Sequence, residues 1–129
     1  MLRELLPAHA TAAGKVLLAF RQPWRDSVLA NALPRYTDAT ITSRLDVERS
    51  ATQVRACGYA LDDGEYQPAM IGIAAPIFVG GDVPAAVALS GPRRDAGLVD
   101  ALRERVVSCA AALTLALGQP ETATDDYAA

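Results

Sequence analysis

The chain has 129 residues, 51% hydrophobic and only 5% aromatic, which suits one domain whose modest core is filled by alanine and branched aliphatics. Its formal net charge is −3, and its cations, all arginine except Lys15, are interleaved with acids as in RRDAGLVDALRER, so no basic face for gripping nucleic acid emerges. The start MLRELLPAHA lacks the apolar core of a signal peptide, and the longest apolar run, VVSCAAALTLAL, has 12 residues, too few to span a bilayer; a soluble cytoplasmic protein with no membrane partner is expected.

The stretch LPAHATAAGKVLLAF predicts a first helix over residues 11–20. Thr11 is its N-cap, because the hydroxyl can accept from an amide of the first turn. Val16, Leu17, Leu18 and Phe20 cover most of its circumference, so it should be buried. Its first turn is nevertheless built from alanines and Gly14, too small to pack well. Pro23 interrupts, and WRDSVLANALP makes a second helix ended by Pro34.

In TITSRLDVERSATQVRACG, Ser43 and Asp46 have the form of a capping box. Val47, Ala51 and Val54 mark one face of a third helix, and Gly58 sits where a left-handed cap belongs. Tyr59 to Asp62 forms a short strand before an Asp63–Gly64 turn. Two β-like runs, AMIGIAAPIFV and VPAAVALSGP, flank Gly80-Gly81-Asp82 and predict an antiparallel hairpin. Pro76 and Pro84 lack a donor and belong at strand ends, bulges or edge-facing positions.

The last helix spans about 95–117, with Leu98, Leu102, Val106, Ala110, Leu113 and Leu117 at helical spacing, and Gly118 and Pro120 end it. The polar tail 119–129 is expected to be disordered. Helices, then strands, then a helix indicate an α+β fold with helices packed on an antiparallel sheet. Two or three strands make a thin sheet for four helices, so a strand is missing or a partner supplies it.

A metal centre is disfavoured by one histidine and the absence of a cysteine cluster. Cys57 and Cys109 lie in helical patterns and read as buried free thiols. GxGxxG, P-loop and GxSxG motifs are all absent, and no cofactor is implied. Ser90, His9 and Asp62 form a triad only on paper, since Ser90 ends a strand instead of sitting on a strand-to-helix elbow. Asp63 reads as a solvated turn acid, whereas Asp62, ending its strand, can point inward.

On the hairpin, side chains alternate between faces. Odd positions (Ile71, Ile73, Ile77, Val87, Leu89) are bulky, and even positions (Gly72, Ala74, Ala86, Ala88, Ser90) are small. The small face either leaves room for a ligand or lets a helix approach closely, and dense interiors favour the helix. The opening helix offers the same choice. Bare alanines leave its first amides open to an anion, or the helix is simply capped and packed.

In order and spacing, the stretches LPAHATAAGKVLLAF, ATITS, VRACGYALDDGE, GIAAPIF and VALSGP resemble the C-terminal effector-binding domain of IclR-type transcriptional regulators, over residues 5–118. The resemblance implies a GAF-like domain over 1–118 that binds a small organic acid, forms homodimers or homotetramers, and touches DNA only through an N-terminal winged helix-turn-helix outside this sequence. It further implies that the family's opening strands are lacking, as in a C-terminal fragment or a gene product with a truncated start.

Carried over by position, the ligand would meet the amides of Ala12 and Ala13, the acid Asp62 and the hydroxyl of Ser90. Ala88 stands where small-acid binders often have a second hydroxyl, and Gly72 where some have cysteine. Both departures imply a larger, more apolar effector, such as an aromatic or alicyclic acid. Asp62 would then accept from a hydroxyl or amine of the ligand, or one of the two acids would be protonated. A ligand-free oligomerisation module is the competing expectation, and a pocket filled over Gly72 and Ala88, for example by Tyr66 or Met70, would support it.

Overall fold

The computed structural model describes residues 5–93 and 95–118; the expected disorder of 119–129 lies outside the described residues. Helices α1 (Ala12–Phe20), α2 (Gln22–Leu29) and α3 (Arg44–Cys57) precede β1 (Ala60–Asp63), β2 (Met70–Val79) and β3 (Asp82–Pro92), and α4 (Ala96–Gly118) follows. The three strands form one antiparallel sheet in the order β1-β2-β3. The chain is therefore α+β, with helices on both sides of the sheet.

The caps explain where the helices begin and end. Thr11 Oγ1 accepts from Gly14 N at 3.3 Å, and Ser43 accepts from Asp46 N at 3.1 Å. Gly58, at φ 81°, closes α3 with its N–H on the Val54 carbonyl. Pro23 does not merely interrupt. It lies in the first turn of α2, where a missing N–H costs nothing, and that helix stops at Leu29, before Pro34.

Alternation along the strands divides the core in two. The small, even-numbered face meets α1 and α3: Val16, Ala19, Ala51 and Val54 pack on Ala60 and Ala74. On the bulky face, Ile73 and Ala75 pack against Val106 and Ala110 of α4. A bulge near Phe78 turns Val83 onto the α1 side. Ile73, Val16 and Val83 are the largest fully buried side chains. Each contributes roughly 1.5–3 kcal/mol of burial.

Close approach accounts for the small residues that open α1. A Cβ added at Gly14 would lie 2.5 Å from Ala8 Cα and 2.7 Å from its carbonyl carbon, so only glycine admits the chain entering the helix. Ala12, near the start of the same helix, stands directly over Gly72.

Two expectations fail. Cys57 and Cys109 are exposed, not buried. Cys57 ends α3 with its Sγ 3.2 Å from the Tyr59 carbonyl, and α4 buries only a narrow stripe around Val106 and Ala110, which leaves Cys109 outside it. For the same reason Leu98 and Leu117 remain 41% and 56% exposed, because a three-stranded sheet covers only the middle of α4. Among the described residues, no helix is long and apolar enough to cross a membrane.

Candidate functional site

The register places the candidate residues in rows across the sheet. Asp62 pairs with Gly72 and Gly72 with Ser90, while Ala74 pairs with Ala88 one row on. All of these side chains point to the α1 face. With the first turn of α1 above them, they enclose a cavity of ≈ 240 Å³. Ala12, Ala13, Asp62, Gly72, Ala88 and Ser90 all line it. Leu6, Thr11, Tyr66, Gln67, Met70, Ile71 and Leu89 complete the wall.

The floor is open because Gly72 has no side chain. A Cβ there would reach ordinary contact with the Cβ atoms of Ala12, Asp62 and Ser90 at 3.5, 3.6 and 3.7 Å. Tyr66 and Met70 line the wall and leave the space over Gly72 and Ala88 open, so the filled pocket expected of a ligand-free module is not found. The small face thus does both things that its pattern allowed. At Ala60, Ala74 and Ala86 it packs closely on the helices, and at Gly72, Ala88 and Ser90 it leaves space.

At the roof, Thr11 Oγ1 donates to the Pro7 carbonyl at 2.9 Å and accepts from Gly14 N. Lys15 N–H bonds to the Thr11 carbonyl at 2.9 Å. Among the described residues, no acceptor meets the N–H groups of Ala12 and Ala13. These two donors sit at the positive end of α1 and border the cavity.

Asp62 is buried, with 8% of its surface exposed. Its Oδ1 accepts from Glu65 N at 2.8 Å. Burial pushes its carboxyl above the usual aspartate range, the Glu65 N–H opposes this, the charge of Glu65 adds to the rise, and Lys15 opposes it. Asp63 faces solvent and pairs with Arg93.

Behind Asp62 lies a pair that the sequence pattern does not announce. Lys15 Nζ lies 3.0 Å from both carboxylate oxygens of Glu65 and 2.7 Å from the Leu61 carbonyl, and both side chains are nearly buried. Glu65 Oε2 also accepts from Asp63 N at 3.3 Å. Thr37 and Thr40 donate to the Gly64 and Glu65 carbonyls, each at 2.6 Å. This network pins the DDGE corner, and with it the Asp62 carboxylate. The available signal was a lone lysine in an otherwise apolar helix.

The paper triad is not assembled. His9 is buried with Nε2 2.8 Å from the Pro34 carbonyl, and it does not line the cavity that holds Ser90 and Asp62. No group of three or more His, Cys, Asp or Glu that could hold a metal occurs among the described residues.

A family model described as "Bacterial transcriptional regulator IclR C-terminal" matches residues 4–115. The HTH-type transcriptional regulator BhcR of Paracoccus denitrificans is 36% identical over 114 residues, covering 84% of this chain and 41% of that protein. Two solved structures share the fold. One is an IclR homolog from Microbacterium hydrocarbonoxydans complexed with 4-hydroxybenzoate: TM-score 0.81, 30% identity, covering 91% of this chain and 48% of that one. The other is a double mutant of the PobR inducer-binding domain from Acinetobacter, complexed with 3-hydroxybenzoic acid: TM-score 0.77, 30% identity, covering 88% of this chain and 69% of that one. The present chain spans less than half the length of regulators such as BhcR. The matched relatives are named as transcriptional regulators, not as enzymes.

Proposed function

Because the chain belongs to the IclR family of bacterial transcriptional regulators, matching their C-terminal domain, we propose that the cavity under α1 binds a small ring-bearing carboxylic acid. Its occupancy then controls DNA binding by the N-terminal domain of the whole regulator. The observation that carries this reading is the meeting of two helix-start amides that meet no acceptor among the described residues, a buried acid and a hydroxyl around one apolar space. The carboxylate sits on Ala12 N and Ala13 N, where the helix end favours an anion without any basic side chain. Ser90 and Asp62 hold the polar groups of the ligand, and Met70, Ile71 and Leu89 cover its ring.

Size supports a single ring. At ≈ 240 Å³ the cavity lies just below the span of about 300–1,000 Å³ common for drug-sized ligands. The two fold relatives whose structures hold hydroxybenzoates point the same way. An effector that prefers one arrangement of the regulator shifts its operator affinity by that preference alone.

Asp62 gives this reading a pH signature. Its carboxyl is already raised by burial. A bound carboxylate is a second negative charge beside it and raises it further, so binding takes up a proton. The dissociation constant is therefore expected to fall as pH drops from 8 towards 5, until the ligand's own carboxyl begins to protonate. Titration calorimetry with 4-hydroxybenzoate measures this. Asp62→Asn should flatten the slope, so that its advantage over the native chain grows as pH rises, by up to about tenfold per pH unit, the limit for uptake of one proton. Loss of affinity in Asp62→Asn at every pH would instead show an ionised Asp62 accepting from the ligand hydroxyl. Failure of every aromatic acid to bind, with pyruvate binding tightly, would defeat the ring-acid reading.

A further inference from the structure

Among the residues that line the cavity under α1, Thr11, Asp62, Tyr66, Gln67 and Ser90 carry polar side chains. The Thr11 hydroxyl is engaged twice, with the Pro7 carbonyl and the Gly14 N–H. The Tyr66 ring meets Tyr36 edge to face, with centroids 5.1 Å apart. Asp62 and Ser90 have their roles in the acid site proposed above. The Gln67 carboxamide has no such role and, among the described residues, no hydrogen-bond partner.

The backbone that carries Gln67 is fixed from several sides. Its carbonyl accepts from Met70 N at 3.1 Å, and the Met70 carbonyl accepts from Gly64 N at 3.0 Å. Arg93 N donates to the Ala69 carbonyl at 2.8 Å, and Thr37 and Thr40 hold the Gly64 and Glu65 carbonyls. Pro68 disfavours helical backbone angles at Gln67. The side chain therefore enters the cavity from a set point, and ordering it costs only its own rotamers.

Register gives the direction in which a ligand meets it. Ala12 stands over Gly72, so an acid seated on the first amides of α1 has its carboxylate at the Gly72 row. One way along β2 is closed, because Ala74 is fully buried against α1 and α3. The other way leads to Met70, roughly 7 Å on, and to the turn that carries Gln67. A substituent across one ring from the carboxylate lies on that side.

Charge decides which substituent belongs there. The cations of this corner are engaged: Lys15 pairs with Glu65, and Arg93 with Asp63. Among the described residues no Lys or Arg lines the cavity, and Asp62 adds a carboxyl to it. A second carboxylate on the ligand would meet only repulsion. A carboxamide is neutral and both donates and accepts, so it answers a hydroxyl, a carbonyl or an amide.

We propose that Gln67 determines the specificity of the acid site: it hydrogen-bonds a neutral polar substituent remote from the ligand's carboxylate, and so selects hydroxy-substituted mono-acids over both bare ring acids and diacids. The inference rests on the acid-binding reading of the cavity. Titration calorimetry at pH 7 with benzoate, 4-hydroxybenzoate and terephthalate tests it. The native chain should bind 4-hydroxybenzoate tightest and terephthalate weakest. Gln67→Met keeps the length of the side chain and removes its polar end. It should lose about fivefold on 4-hydroxybenzoate, as for one neutral hydrogen bond, with benzoate unchanged. Gln67→Arg supplies the missing cation in a fork that matches a carboxylate, and should raise terephthalate affinity at least about tenfold, well beyond any gain on benzoate. Gln67 is exposed, so both variants should keep the native urea midpoint.

Equal weakening of benzoate and 4-hydroxybenzoate in Gln67→Met would make this side chain a cover for the ring and overturn the proposal. So would an unchanged affinity for 4-hydroxybenzoate, or a Gln67→Arg chain that gains no more on terephthalate than on benzoate. Acids that bind with a preference indifferent to residue 67 defeat this proposal alone. A native chain that binds none of the three defeats the acid-binding reading, and this inference with it.

Discussion

Replacing Lys15 by methionine is expected to cost about 3–5 kcal/mol of folding stability, read as a drop in the urea midpoint at unchanged slope. Lys15 and Glu65 meet with side-chain exposures of 11% and 10%, so neither charge can turn to water when its partner is removed. The methionine leaves the Glu65 carboxylate buried beside Asp62 with no cation, and strips the Leu61 carbonyl of its donor. Removing both charges is a different matter. A buried pair exchanged for apolar side chains of similar volume is often neutral. The double change Lys15→Met with Glu65→Leu should therefore recover most of the loss. If the single change costs under about 1 kcal/mol, the pair behaves like an exposed one and does not hold the corner.

Gly72→Leu should abolish ligand binding, by more than about a hundredfold, while leaving a folded chain; truncating or blocking one well-placed contact costs less than filling the whole cavity. The direction follows from where the side chain goes. A Cβ at Gly72 fits at ordinary contact distances, so alanine is accepted and the backbone there is extended strand. The atoms beyond Cβ can only enter the space under Ala12. Gly72→Ala is the matched control: it should fold at least as well as the native chain, since alanine loses less backbone entropy than glycine, and should narrow the cavity without closing it. Calorimetry with 4-hydroxybenzoate on both variants checks the order native, alanine, leucine. Equal affinity in all three would place the ligand elsewhere.

Local signals carried much of the fold. The Ser43–Asp46 cap, Gly58 and the Gly80–Gly81 turn each act within a few residues, and all are where their chemistry puts them. Alternation also separated the two sheet faces correctly, since side-chain direction follows from strand geometry alone. Burial was less legible. Cysteine's preference for interiors is overridden where a helix covers only a narrow stripe, as at Cys109. Pro23 shows the same ambiguity, because proline ends one helix and begins the next with the same missing donor.

The six candidate residues follow from family resemblance, and register brings them to one cavity by tying Asp62, Gly72 and Ser90 into a single row. That they contact the ligand is a proposal. The Lys15–Glu65 pair was invisible because its members lie 50 residues apart and meet only when α1 docks on the DDGE corner. No periodicity or cap announces such a contact. A lone lysine on a helix that must be buried was its single trace.

The most direct measurement is an amide-resolved NMR titration of the chain with 4-hydroxybenzoate. Large downfield shifts of the Ala12 and Ala13 amide protons are expected, as their N–H groups take a carboxylate, with Gly72 and Ser90 shifting in step. Shifts confined to other residues, with Ala12 and Ala13 unmoved at saturation, would contradict a carboxylate seated on the start of α1.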